Sequence, residues 1–230
     1  MPSYYAHEWF GERVLEQLPT DICRAIEEDT EAFKTGLYGP DPVMFAPGGP
    51  SRARVLGRFW REDAAETLHT MLNEGSDGEK SFAAGYLCHL VLDDSCHACI
   101  HRFQREQGLS HCSMELGLDW ILIRENQEKK FPPMKIPHKN RVVKLAAKLI
   151  QPTTHAWQYR IGLTCMSLVT VKLTAIAKLY MKKNAKSYEA PLVELREILN
   201  ERIGAAVKAL TALYVSEYKW NAKDYLLQMA

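Results

Sequence analysis

Apolar residues recur at three- and four-residue intervals along most of this chain, the period of helices buried on one side. No stretch keeps the two-residue alternation of a half-buried strand, and no internal repeat is visible. The pattern predicts helices over residues 9–18, 21–33 and 51–73, then one opening at Ser76 and carrying residues 82–103. Further helices are predicted over 111–129, 141–150, 154–183 and 191–218. Pro19 ends the first, and Thr20 and Ser51 are predicted N-caps. Residues 73–78 form a polar turn, and Ser76 followed by Glu79 fits a capping box. The Gly- and Pro-rich residues 36–50 are predicted as the one long loop, and residues 184–190 as the joint between the last two helices. The expected architecture is an all-α, single-domain helical bundle over residues 1–230, with metal ligands in 1–130 and closing helices in 131–230.

Polar residues interrupt the pattern in one place with a regularity of their own. His89, Asp93, His97 and His101 recur every four residues, and His111 and Glu115 repeat that spacing shortly after. Residues four apart leave a helix on one face, so each segment projects imidazoles and a carboxylate together. Facing such groups inward requires a cation to offset their desolvation. Metal binding is the first expectation.

A hydrophobic fraction of 47% supplies a sizeable core, and charged residues at 25% are ordinary. A formal net charge of +1 gives no overall excess for holding a phosphate backbone, which argues against a nucleic-acid partner. Six cysteines, at positions 23, 88, 96, 99, 112 and 165, do not make a disulfide framework. Reduced thiols among candidate ligands suit a reducing compartment. The first residues show no basic-then-apolar leader, and the most apolar stretch, 161–180, is broken by Lys172 and Lys178. A cytoplasmic protein without a transmembrane segment is expected. Lys182 to Lys186 reads as a solvated helix end, with peripheral contact to an anionic membrane as the alternative.

The order of the candidate ligands is specific as a set: His7, Asp41 in a Gly-Pro-Asp-Pro turn, His69, His89-x3-Asp93, a further histidine, and His111-x3-Glu115. With the opening Tyr-Tyr-Ala-His and the Gly-Leu-Tyr-Gly-Pro-Asp-Pro stretch, it resembles the zinc-dependent phospholipase C family. That family is related to single-strand nucleases with a trinuclear zinc core. The resemblance runs over residues 1–119 and implies two or three clustered Zn2+ ions. It implies one ion on Asp41, His69, His89 and Asp93, a second on His97, His111 and Glu115, and a third on His7 with Asp93 as bridge. Two departures bear on this assignment: only six residues precede His7, and His101 lies one turn beyond His97 as a rival ligand.

The resemblance implies hydrolysis of a phospholipid or small phosphodiester by metal-activated water. Asp41 is also the candidate general base that orients this water. The aromatic residues Tyr4, Tyr5, Tyr38 and Phe45 are candidates for a cage around a quaternary ammonium head group. Asp119, one turn after Glu115, is a candidate for orienting a ligand, while Asp94 points elsewhere. A single-strand nuclease and a metal-stabilised helical binding domain without turnover are the competing functions.

Overall fold

The computed structural model describes residues 4–48, 68, 70–127, 134–150 and 155–215, which are helical with no strand among them. The helices are α1 (Tyr4–Gln17), α2 (Thr20–Glu27), α3 (Thr30–Tyr38), α4 (Asp41–Met44), α5 (Asp77–Gln107), α6 (His111–Glu125), α7 (Asn140–Ile150) and α8 (Ala156–Val215). The predicted helix over 51–73 falls mostly outside the described residues; its described end, 70–74, is helical.

α5 is the axis around which the others pack. Every residue from Ser81 to Asp93 is buried, so this part of the helix is wrapped on all sides. Its ends follow the sequence. Ser76 and Glu79 form a reciprocal capping box, with the Ser76 N–H donating to the Glu79 carboxylate at 2.9 Å. Gly108 closes the C-terminus in the left-handed region at φ 66°.

α3 crosses α5 at unusually close range because glycines face each other there. A Cβ on Gly36 would lie 2.2 Å from the Phe82 carbonyl oxygen, and one on Gly85 2.1 Å from that of Phe33. Two predictions need correction in this region. The predicted helix 21–33 is two helices: the chain breaks after α2, and Asp29 caps α3 by accepting from the Ala32 N–H. Residues 36–50 are also not wholly a loop, since α3 runs to Tyr38 and α4 follows after one corner at Gly39. Tertiary burial of Leu37 and Tyr38 against the core outweighs the local glycine signal. Thr20 is the first residue of α2, and no side-chain cap forms there.

The expected joint at 184–190 narrows to a kink at its first residue, where two helical stretches meet, and residues 185–190 are helical. α8 departs from helical geometry at Asn184 alone (φ −117°, ψ 16°), where the Asn184 side chain donates back to the Tyr180 carbonyl. The first half of α8 covers α4, with Gly162 so close to Pro42 that an added Cβ would lie 1.9 Å from its carbonyl oxygen. α8 also packs on α5 and α6, so the C-terminal half closes over the helices that carry the candidate ligands.

Candidate metal centre

His7 from α1, Asp41 from the start of α4, and His89 and Asp93 from α5 converge in the interior. His89 is fully buried, and its Nε2 lies 3.4 Å from Asp93 Oδ2. His7 Nε2 lies 3.3 Å from the other oxygen, Oδ1, and its ring stacks on that of His89 with centroids 4.3 Å apart. Donor atoms of His7, Asp41 and His89 all lie within 4.8 Å of one another. Asp93 therefore stands between two imidazoles, using one oxygen for each.

A second group sits one turn further along α5, where it meets α6. His97, His111 and Glu115 bring donor atoms within the same 4.8 Å. Glu115 Oε1 lies 3.1 Å from His111 Nε2 and 3.6 Å from His97 Nε2. The two groups meet at Asp93 Oδ1, 3.9 Å from His97 Nε2. Of the two rival histidines, His97 is the one turned to Glu115 and Asp93, whereas His101 is exposed, with its ring 5.8 Å from that of His97.

Local geometry explains how each side chain is aimed. Gly39 turns the chain between α3 and α4 at φ 51°, and a Cβ there would lie 2.6 Å from the His89 ring, so Asp41 enters the site through a corner that needs glycine. The Tyr159 hydroxyl of α8 donates to the Gly39 carbonyl at 2.9 Å and fixes that corner. Asp119 of α6 accepts the Ala6 N–H at 2.9 Å, tying the first turn of α1 to the helix that bears Glu115 and so placing His7. Leu37 and Gln104 were not singled out from the sequence. Their oxygens lie 3.0 Å from His89 Nδ1 and 3.4 Å from His111 Nδ1, the outer ring nitrogen in each case. No sequence pattern marks such contacts: the Leu37 oxygen is a backbone carbonyl, the same at every residue, and the Gln104 oxygen belongs to a side-chain amide that reaches His111 only once α5 and α6 are packed.

Charge in this interior is arranged by burial and by neighbours. Burial, then the negative charge of Asp93, raises the Asp41 carboxyl to about 7. Burial also lowers His89 to about 3, keeping it neutral. Asp93 is held below the ordinary carboxylate range: burial opposes its charge, but His89 and His7 outweigh that. Burial disfavours a charged Glu115 too, and hydrogen bonds from His111 and His97 more than reverse it. His97 and His7 are raised, because Glu115 and Asp93 respectively overcome their desolvation.

The donor set fits zinc. An ion held at 2.0–2.2 Å by nitrogen and oxygen in a tetrahedron keeps its donors roughly 3.3 Å apart. The imidazole–carboxylate separations of 3.1–3.6 Å lie around that spacing. His7 Nδ1 is buried with no hydrogen-bond partner among the described residues. A dication among these donors would offset the burial and the Asp93 charge that together raise Asp41.

The remaining predicted residues are placed as follows. His69 lies outside the described residues. Tyr4 and Tyr38 are wholly buried in the core, and the Tyr38 hydroxyl donates to Glu8, so neither ring presents an open face as a head-group cage requires. Tyr5 is buried as well, while Phe45 is half-buried beside α4. None of the six cysteines is joined in a disulfide; burial pushes the Cys88 thiol up to about 12, making it a packing group.

Among the described residues, helices α1, α4, α5 and α6 gather histidines and carboxylates into two adjoining clusters that could hold metal ions, the donor arrangement of helical zinc proteins. The chain belongs to the zinc dependent phospholipase C family, whose sequence model matches residues 6–171. No curated protein and no solved structure matches it. The matched span contains every donor in both clusters, together with residues 156–171 of α8.

Proposed function

We propose that this protein is a zinc-dependent phosphodiester hydrolase of the phospholipase C type, cleaving a phospholipid or a small phosphodiester with water. The observation that carries this reading is Asp93, which joins His7 and His89 on one side and approaches His97 on the other, so that two donor clusters share one wall. His7, Asp41, His89 and Asp93 would hold zinc in the interior, and His97, His111 and Glu115 would hold it at the more open end; family resemblance adds His69 as a ligand and leaves the count at two or three ions. Bound zinc supplies a water acidified towards neutral pH and positive charge for the nonbridging phosphate oxygens.

The chain's own residues do the rest. Asp41, entering at the glycine corner, orients the attacking water and takes up its proton. Leu37 and Gln104 hold His89 and His111 by their outer ring nitrogens, fixing which nitrogen faces the site. His97 and His111 are only half-buried, which leaves that end accessible to a substrate. Phe45, beside α4, is the remaining candidate for contact with a head group. We read the whole chain as one domain and, from its six cysteines outside disulfides, as a cytoplasmic protein. Among the described residues no helix is long and apolar enough to cross a membrane.

The deciding experiment measures zinc by elemental analysis of protein purified without chelator, alongside hydrolysis of a chromogenic phosphodiester and of phosphatidylcholine. At least two equivalents of zinc and chelator-sensitive turnover are expected. Zinc-free active protein, or turnover of single-stranded DNA in place of phosphodiesters of lipid type, would overturn the reading.

A further inference from the structure

Among the described residues, the large apolar side chains that remain exposed are concentrated on one helix, α8, with Val193 on its second half. Trp157, Ile161, Leu168, Val169, Ile176 and Leu179 all lie on the first half of α8, and Met44 lies on α4 beneath it. Trp157, Ile161, Leu168, Ile176 and Leu179 follow helical spacing and form one stripe, opposite the face that buries Tyr159, Leu163, Met166 and Ala177. The stripe runs roughly 33 Å, at 1.5 Å per residue. Leu168 and Leu179 are 63% and 71% exposed, so α8 is apolar on its outward face as well as its inward one.

The charge around this stripe is one-sided. Between Glu128 and Glu189 the sequence has no aspartate or glutamate, whereas thirteen lysines and arginines fall there. A net charge of +1 thus conceals a basic segment set against an acidic remainder. Lys172 lies in the stripe, and Lys178, Lys182, Lys183 and Lys186 are exposed at its C-terminal end. The N-terminal end lies beside the site, since Gly162 packs on Pro42 of α4 and Tyr159 holds Gly39.

We propose that the outward face of α8 from Trp157 to Leu179 is the surface by which the protein lies on an anionic phospholipid bilayer. A helix with an exposed apolar stripe, a tryptophan and flanking lysines sinks that stripe to the headgroup boundary while its lysines meet lipid phosphate and carboxylate. A second copy of the same face fits less well, because this segment offers no acidic side chain to pair with a partner's lysines. Nucleic acid would use the lysines but not the exposed leucines and isoleucines. The position next to α4 presents bilayer lipid to the metal centre. The substrate class rests on the phospholipase reading above; the docking face does not.

The test is co-sedimentation of the full chain with vesicles of mixed phosphatidylcholine and phosphatidylserine, compared with phosphatidylcholine alone. Wild type is expected to sediment with the mixed vesicles, and Leu168→Asp/Leu179→Asp to bind them at least about tenfold more weakly. Lys182→Glu/Lys183→Glu is expected to bind more weakly at low salt, with the difference shrinking as salt rises. Helix content, zinc content and turnover of a soluble diester should be unchanged in the leucine variant. Equal sedimentation of variant and wild type overturns the proposal. So does a wild-type dimer that the leucine substitutions dissociate, or binding of single-stranded DNA without binding of vesicles. Vesicle binding without phospholipid hydrolysis would sink the phospholipase reading and leave the docking face standing.

Discussion

His89 Nδ1 lies 3.0 Å from the Leu37 carbonyl oxygen. A carbonyl only accepts, so Nδ1 carries the proton and Nε2, which faces Asp93, carries the lone pair. The donor set is thereby oriented by a backbone group of α3, and the close crossing of α3 and α5 through Gly36 and Gly85 becomes part of the site. Gly85→Ala should push the two helices apart, costing about 1–3 kcal/mol of stability by overpacking. Denaturant unfolding measures that loss, and zinc titration should show a weaker interior site. An unchanged zinc affinity would mean the crossing does not position His89.

The two histidines one turn apart separate by function. His97→Ala should remove the ion held with His111 and Glu115, lowering zinc content by about one equivalent. His101→Ala should leave zinc content as in wild type, since its ring is exposed and not turned to Glu115. Elemental analysis of both variants decides it, and the reverse pattern would make His101 the ligand.

Zinc affinity should rise with pH across the neutral range. In the metal-free protein burial opposes charge on His97 and His7, but Glu115 and Asp93 respectively raise them above the ordinary histidine range, so protons compete for the nitrogens that zinc requires. Raising the pH through their pKa values removes the competition. Competition with a chromogenic chelator at about pH 6 and pH 8 measures it, and tighter binding at the lower pH would contradict the assignment.

Asp29 offers a test remote from the metal. It is 2% exposed and meets Lys139 at 2.9 Å and Arg141 at 2.6 Å, both reaching in from the segment at the start of α7. Burial works against its carboxylate, but Lys139, the Ala32 N–H and Arg141 together bring it below the ordinary value. Asp29→Asn keeps a helix cap and removes the charge, so about 1–3 kcal/mol should be lost at neutral pH. A depressed folded pKa means this contribution is present above the unfolded value of about 3.9 and fades as the pH falls through the folded one. Wild type and variant should therefore converge in acid, and a gap that stays constant in denaturant melts down to that range would rule the charge out.

Much of the site was legible because it is local. Spacing of four put His89, Asp93 and His97 on one face of α5, and the same rule paired His111 with Glu115. The capping box at Ser76 was equally local. Asp41 was visible only through resemblance, since a Gly-Pro-Asp-Pro turn by itself carries no metal chemistry. The burial of Tyr4 and Tyr38 was not legible, because a tyrosine beside a candidate site has the same residue type whether it packs or binds. The basic segment in residues 129–188 is plain in the sequence, but the total charge hides it.

The sequence by itself determined that the chain is helical, where α5 and α6 begin and which residues on each could serve as donors, because hydrogen bonding and side-chain direction within a helix depend on near neighbours. Only the tertiary structure decided that His7 stacks on His89, that Asp93 serves two imidazoles at once, and that a glycine corner admits Asp41. Those relations join residues far apart in the chain, and they are set by how closely α1, α3, α5 and α6 can approach. That approach depends on glycines lacking a Cβ at the crossings and on packing of the whole core, neither of which any short stretch of sequence contains.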